Sequence, residues 1–228
     1  MITAVVTQPN YLPWLGYFEQ IIRSDIFVFL DTVQYERRAW QNRNRLKNYD
    51  DKPFWLTVPV VKHKQKTPIN KINIINSDWQ SKHLYLMKTF LGHTKYFNKI
   101  YPIIECRIKN NYQLLSHLNI DLISDTCKIL NIKTKFIRAS ELQPKGKRTE
   151  LLVNICKLVG ASHYYSSLGA KMYMEKDEHL FYDAGINLKY QTWDHPHYNQ
   201  KGNNFISHLS ALDAIMNIGP DQTSQLIR

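Results

Sequence analysis

The sequence predicts an α/β fold with a mainly parallel sheet and helices on both faces. Three observations carry that expectation. Short β-branched or aromatic runs recur along the chain, helix-periodic stretches stand between them, and glycines sit where such helices would end. Residues 2–7 form a β-branched run of the kind buried strands use. Pro9 and Pro13 then force an irregular loop. Leu15, Phe18, Ile21 and Ile22 recur at helical spacing, and residues 26–30 are a second apolar run ending at Asp31. Strand, loop, helix, strand is one βαβ unit, enough to start a parallel sheet.

The middle reads differently. Residues 54–61 and 71–75 look like two strands joined by a basic turn, and helical patterns follow over 78–91 and about 100–130. Residues 135–137 resume the strand pattern. A helix over 149–159 stops at Gly160, a strand covers 163–166, a helix over 175–184 stops at Gly185, and a strand covers 186–191. A polar loop over 192–204 precedes a last helix from about 209 to 217. The expected architecture is a single Rossmann-like α/β domain over 1–228. Its five core strands lie near 2–7, 26–30, 135–137, 163–166 and 186–191, and residues 54–132 form a mixed hairpin and helical insertion or cap.

Hydrophobic residues make up 43% of the 228 positions and charged residues 21%, so a buried core is expected rather than disorder. Thirty Lys and Arg against 19 Asp and Glu leave a net charge of +11, which favours anionic partners. The charge is uneven: ten basic residues and three acids lie between Val33 and Ile75, whereas the signs balance at three each from Gly185 onward. Cys106, Cys127 and Cys156 are widely spaced with apolar neighbours, so they read as buried thiols in a reducing cytosol rather than a zinc or disulfide framework. No apolar stretch approaches the ~20 residues of a membrane helix, and a cytoplasmic location is expected.

Five segments carry candidate chemistry. Four follow predicted strands, where open parallel sheets bind ligands. The first runs from Gln8 to Tyr17. Gln8, Tyr11 and Gly16 are its site candidates, Gly16 because it lets a ligand approach the helix backbone. The loop is similar to the Pro…His-x-Gly-His loop of nucleotidyltransferases, but Trp14 and Tyr17 stand at the histidine positions, so histidine-assisted phosphoryl transfer is not expected. The second segment offers Asp31, Gln34, Trp40, Asn42 and Arg43, a set of amide and guanidinium donors beside an aromatic that suits a phosphate or carboxylate next to a ring. The third, residues 145–150, lacks Walker A spacing, though Arg148 at a helix start can hold a phosphate. The fourth offers Ser167, Lys171 and Tyr173. The fifth contains His195, His197, Tyr198 and Gln200. His195 is the leading candidate for a general base, with Tyr198 beside it. His195 and His197 have no third ligand nearby, so no metal site is expected. Ser210 and Asp213 have capping-box spacing, and His83, four residues after Trp79, reads as packing.

Taken together, Gln8-Pro-Asn-Tyr-Leu-Pro-Trp-Leu-Gly-Tyr-Phe, Asp31-x-x-Gln34, Trp40-x-Asn-Arg, Trp55-Leu-Thr-Val-Pro59, Tyr165-x-Ser-x-Gly-Ala-Lys-x-Tyr173, His195-Pro-x-Tyr-x-Gln200 and Leu209-Ser-x-Leu-Asp213 resemble the WbqC-like family. The resemblance covers nearly the whole chain. It implies a bacterial protein of surface-polysaccharide, particularly O-antigen, biosynthesis, and acyl or aminoacyl transfer to the amino group of a nucleotide-linked sugar. The implied partners are that amino sugar and an acyl or aminoacyl carrier; no cofactor is identified. The alternatives are a non-catalytic sugar-nucleotide or nucleic-acid binding module and a degenerate nucleotidyltransferase-like ligase. Nucleic acid is disfavoured because no helix carries a dense basic face.

Overall fold

In the computed structural model, which describes residues 1–228, the five predicted core strands lie side by side in one sheet. Strand β1 (Thr3–Thr7) leads through α1 (Leu15–Ile22) to β2 (Ile26–Phe29). The antiparallel hairpin β3 (Arg43–Lys47) and β4 (Pro53–Thr57) follows, then α2 (Trp79–Leu91), α3 (Phe97–Lys109) and α4 (Leu115–Ile129). The sheet resumes with β5 (Lys135–Arg138), followed by the short α5 (Ala139–Leu142) and α6 (Arg148–Leu158). Next come β6 (His163–Ser166), α7 (Lys171–Met174), α8 (His179–Asp183) and β7 (Asn187–Tyr190). Helices α9 (Ala211–Ile218) and α10 (Pro220–Leu226) close the chain.

The sheet order is β5-β2-β1-β6-β7 and every neighbouring pair is parallel. The chain starts at the centre, builds outward through β2 and β5, then returns to add β6 and β7 on the other side of β1. The build direction therefore reverses between β1 and β6, which leaves a crevice beyond their carboxyl ends. Alternating side chains feed two cores. Val5, Phe27 and Phe29 pack with α1, α2, α3, α4 and α9, whereas Ala4, Val6, Ile26 and Val28 pack with α6, α7 and α8.

Three helices deliver the chain to strands through one device. At the ends of α4, α6 and α8, Asn131, Gly160 and Gly185 take left-handed φ angles of 54°, 68° and 70°. The next amide then reaches back to a carbonyl in the last turn: Ile132 to Cys127 at 2.8 Å, Ala161 to Cys156 at 2.9 Å, and Ile186 to Phe181 at 2.9 Å. This is the Schellman closure, and it turns the chain directly into β5, β6 and β7.

Several expectations need correction. The hairpin partner of β4 is β3, read in the sequence as a basic loop, and not residues 71–75. Those residues pair antiparallel with the end of the expected 54–61 strand, through the Val60–Ile74 bridge and the bonds from Val61 N–H to the Asn73 carbonyl and from Ile75 N–H to the Pro59 carbonyl, both 2.9 Å. On their other side they pair with the link between α3 and α4, through the Asn73–Leu114 bridge and the Ile74 N–H to Gln113 carbonyl bond at 2.9 Å. That pairing holds residues 110–114 out of helix and divides the expected 100–130 helix in two. The expected 175–184 helix is a 3₁₀ turn at Glu175–Asp177 followed by α8, and α10 was not anticipated. Cys127 and Cys156 are buried as expected, and burial lifts the Cys156 thiol to about 12. Cys106 is exposed instead, because Tyr101, Ile104 and Ile108 take the buried face of α3. No helix is long and apolar enough to cross a membrane.

A Cβ at Gly160 would meet nothing within 4 Å, so Gly160→Ala isolates the backbone cost of its positive φ. We predict a loss of about 1 kcal/mol, read as a lower urea midpoint with unchanged slope. An unchanged midpoint contradicts the turn-closure account.

Candidate functional site

The β1–β6 crevice is a cleft of about 440 Å³. Its base is apolar: Val6, Leu30, Leu152, Tyr164 and Ala170. Its rim carries Gln8 and Asn10 from the loop after β1, Glu36, Trp40 and Gln41 from the loop after β2, and Ser167 and Tyr173 from the segment after β6. Trp40 and Tyr173 are 41% and 58% exposed, so part of each ring remains accessible to a ligand. Glu36 is the only charged residue in the lining. An apolar base, neutral polar donors and open aromatic rims are the features of a small-molecule site.

The rim is fixed by a buried amide relay. Gln41, 1% exposed, donates from Nε2 to Gln8 Oε1 at 2.6 Å and accepts the Glu36 backbone N–H at 2.9 Å. The Gln8 Nε2 group and the Ser167 hydroxyl make no hydrogen bond within the protein, so both are free to meet a ligand.

The loop over residues 8–13 is buried against the inserted block, and its backbone groups need partners there. Asn119 Nδ2 on α4 donates to the carbonyls of Pro9 at 2.9 Å and Gln41 at 2.7 Å. Asn44 Nδ2 on β3 donates to the carbonyls of Tyr11 at 3.1 Å and Leu12 at 2.7 Å. The Tyr11 N–H reaches the Trp40 carbonyl at 2.9 Å, and Tyr17 Oη donates to the Gln8 carbonyl at 3.0 Å. Leu12 takes a left-handed φ of 43°, which costs a non-glycine residue about 1–2 kcal/mol. The Asn44 clamp on its carbonyl holds it there.

Of the sequence candidates, Gln8, Trp40, Ser167 and Tyr173 meet at the cleft. The others lie elsewhere. Tyr11 is fully buried, and its hydroxyl donates to His83 Nδ1 at 2.8 Å, so it supports the loop. A Cβ at Gly16 would strike the Trp14 indole, so the glycine makes room for that ring. Asp31 is buried and accepts from the Ser140 backbone N–H at 2.9 Å and hydroxyl at 2.6 Å, which caps α5. Asn42 is buried and donates to the Val58 carbonyl at 3.0 Å. Gln34 is exposed and bridges Pro68. Arg148 is exposed at the start of α6, and Lys171 is exposed with its Nζ 5.8 Å from the Tyr190 ring. Arg43 lies on β3 with its guanidinium carbon 4.1 Å from the Trp55 ring centroid.

His195, Tyr198 and Gln200 do not line the cleft. His195 packs among Trp14, Trp193, His208 and Phe205. Its Nδ1 lies 3.0 Å from the Pro196 carbonyl, which only accepts, so the proton sits on Nδ1 and Nε2 carries a lone pair. That Nε2 is enclosed with no partner. Burial and the neighbouring His208 hold the His195 pKa down at about 4. Tyr198 donates to Asp213 Oδ2 at 2.8 Å, and Gln200 Nε2 reaches Tyr198 Oη at 3.0 Å and the Ile206 carbonyl at 2.9 Å. These bonds fasten the 192–209 loop to α9. Ser210 caps α9 through the Leu212 N–H, while the Asp213 carboxylate turns to Tyr198 instead of completing a box. No group of three His, Cys, Asp or Glu side chains is placed to hold a metal.

The model of the WbqC-like protein family matches residues 8–225. The chain belongs to the WbqC-like protein family. It is 30% identical over 229 residues to the uncharacterised protein Rv1507c of Mycobacterium tuberculosis, covering 99% of this chain and 98% of that one. No solved structure matches it. In this WbqC-like chain the sequence reading missed Glu36 and Gln41 at the cleft and Asn44 and Asn119 beneath it. Gln41 and Asn44 stood inside the Trp40–Arg45 segment; Asn119 lies in an unremarkable helical pattern and gave no signal.

Burial gives the fold a pH signature. The His83 pKa is lowered to about 4, chiefly by burial, with a backbone hydrogen bond to Thr57 partly offsetting it. Below the ordinary imidazole value of 6.5, the unfolded chain takes protons on His83 and His195 that the folded chain refuses until about pH 4. Their contribution is full above 6.5 and is lost on acidification. Asp213 opposes this: burial raises it from 3.8 to about 6, so its contribution is present below 3.8 and lost as pH rises through 6. Two imidazoles outweigh one carboxyl. We predict that the thermal midpoint falls between pH 7 and pH 5, and that His83→Gln, which keeps an acceptor for Tyr11, lowers the midpoint at pH 7 and flattens this slope. A midpoint that rises on acidification contradicts the assignment.

Proposed function

We propose that the protein transfers an acyl or aminoacyl group to the amino group of a nucleotide-linked sugar in bacterial surface-polysaccharide (O-antigen) biosynthesis. The observation that carries this reading is the cleft lining: neutral amide and hydroxyl groups between two open aromatic rings, with a single carboxylate. Sugars present hydroxyls around their edge and C–H groups on their faces, which such a rim matches. Family membership and the reversal of the parallel sheet at this cleft support the same reading.

In this reading Trp40 and Tyr173 bracket the sugar, and Gln8 and Ser167 hydrogen-bond its hydroxyls. Glu36 receives the proton of the substrate amine. The sequence expectation gave that task to His195, with Tyr198 assisting. Glu36 is favoured because it lines the cleft, whereas His195 Nε2 is enclosed. The amine nitrogen bonds to the carbonyl carbon of an activated acyl carrier, and the carbonyl electron pair moves to oxygen. That pair returns as the bond to the leaving group breaks, and the leaving group departs with its electrons and takes up the proton from Glu36. Backbone amides of the β6 exit are available to the transient oxyanion.

The test is product mass spectrometry with UDP- and dTDP-linked amino sugars and acyl or aminoacyl carriers. Glu36→Gln should lower kcat at least ~100-fold and leave nucleotide-sugar affinity within about threefold. Trp40→Ala should weaken that affinity about tenfold. Tight binding of nucleotide sugars without turnover, under every donor tried, would replace the transferase reading with that of a binding module. Loss of turnover in His195→Asn with full activity in Glu36→Gln would return the base to His195.

A further inference from the structure

The cleft contains no basic side chain, yet the chain carries +11. Two basic residues stand on the outer face of the β3–β4 hairpin, one of them beside Trp40 of the cleft rim. Arg43 and Arg45, two apart on β3, point to the same face. The Arg43 guanidinium carbon lies 4.1 Å from the Trp55 ring centroid, and that of Arg45 lies 5.6 Å from both the Trp55 and Trp40 centroids. The two indoles are themselves 5.5 Å apart. Arg45 Nη2 donates to the His208 carbonyl at 3.1 Å.

Neither guanidinium has an acidic partner. The nine ion pairs of the chain all lie elsewhere. Arg43 Nε and Arg45 Nε are both buried without a hydrogen-bond partner. Contact with the indoles restrains both side chains, and apart from the Arg45 Nη2 bond to the His208 carbonyl neither guanidinium has a hydrogen-bond acceptor. Two guanidinium groups on one face of a strand, at positions roughly 7 Å apart along the backbone, offer donors to two linked phosphates. Trp40 belongs to both places: it lines the cleft and touches Arg45.

We infer that Arg43 and Arg45 form a diphosphate clamp, and that the substrate runs from the cleft across Trp40 onto the hairpin. The sugar occupies the neutral cleft and its diphosphate crosses to the two arginines. The position of the sugar rests on the function proposed above; the clamp does not. Diphosphate sugars occur on nucleosides and on polyprenyl lipids, and the clamp recognises the group they share.

Calorimetry at fixed ionic strength tests the clamp without turnover. The probes are UDP, farnesyl diphosphate and inorganic pyrophosphate, against wild type, Arg43→Lys, Arg45→Lys and the double variant. Lysine keeps the charge and loses the stacked fork, so the double variant should bind its diphosphate at least ~10-fold more weakly, with the singles between. Lys64→Ala and Lys66→Ala, on the exposed basic turn, should bind as wild type does. Tighter binding of UDP than of farnesyl diphosphate identifies a nucleoside carrier; the reverse identifies a lipid carrier. Equal affinities in wild type and the double variant overturn the clamp, as does equal weakening by the turn lysines, which marks diffuse charge. If neither organic diphosphate nor pyrophosphate binds wild type at millimolar concentration, the clamp is also overturned. A clamp that survives while no amino-sugar product forms leaves the diphosphate subsite in place and removes the transferase reading alone.

Discussion

Much of the candidate site depends on how the 8–13 loop satisfies its backbone. The loop leaves the central strand, crosses the buried junction with the inserted block and contains two prolines and a left-handed leucine. Buried carbonyls left without donors would cost about 1–3 kcal/mol each. Asn119 and Asn44 provide donors from α4 and β3, and His83 on α2 anchors the Tyr11 phenol. The block inserted between β2 and β5 is therefore more than a cover. It holds the loop in the shape that sets Gln8 on the cleft rim.

The same junction separates polar groups by charge. Inside the cleft, the amide relay from Glu36 through Gln41 to Gln8 gives directional donors and acceptors without net positive charge. Outside it, the hairpin presents two guanidinium groups against indole rings, neither in an ion pair. The hairpin can carry arginines on one face because Asn44 and Leu46 fill the other, facing the loop and the core. One strand thus secures the cleft loop with Asn44 and presents Arg43 and Arg45 on its other face.

Local signals explain what was legible in the sequence. The five core strands are apolar, β-branched or aromatic runs, and Gly160 and Gly185 mark the helix ends before β6 and β7 through a backbone geometry that glycine adopts readily. The alignment of Gln8 and Ser167 at one edge followed from strand direction alone. Strand β3 was hidden because Arg43-Asn44-Arg45-Leu46-Lys47 is polar on both faces: its inner Asn44 is buried for hydrogen bonding and not for hydrophobicity. Residues 71–75 meet the 54–61 segment only at its end, and β4 itself pairs with β3, because an apolar run does not specify how much of a neighbour it pairs with. His195 looked catalytic because a histidine after a strand carries no mark of the aromatic rings that enclose it. Asp31 likewise occupies a strand end of the kind that binds ligands, but its position is taken up by capping α5.

The most direct test of this account is hydrogen exchange in Asn119→Ala, resolved residue by residue. If the inserted block clamps the loop, amide exchange at residues 10–12 and 40–42 accelerates markedly while Val5, Phe27 and Tyr164 in the sheet keep wild-type protection. Wild-type protection at Tyr11, whose N–H is held by the Trp40 carbonyl, would contradict the clamp, as would an acceleration shared equally by the sheet.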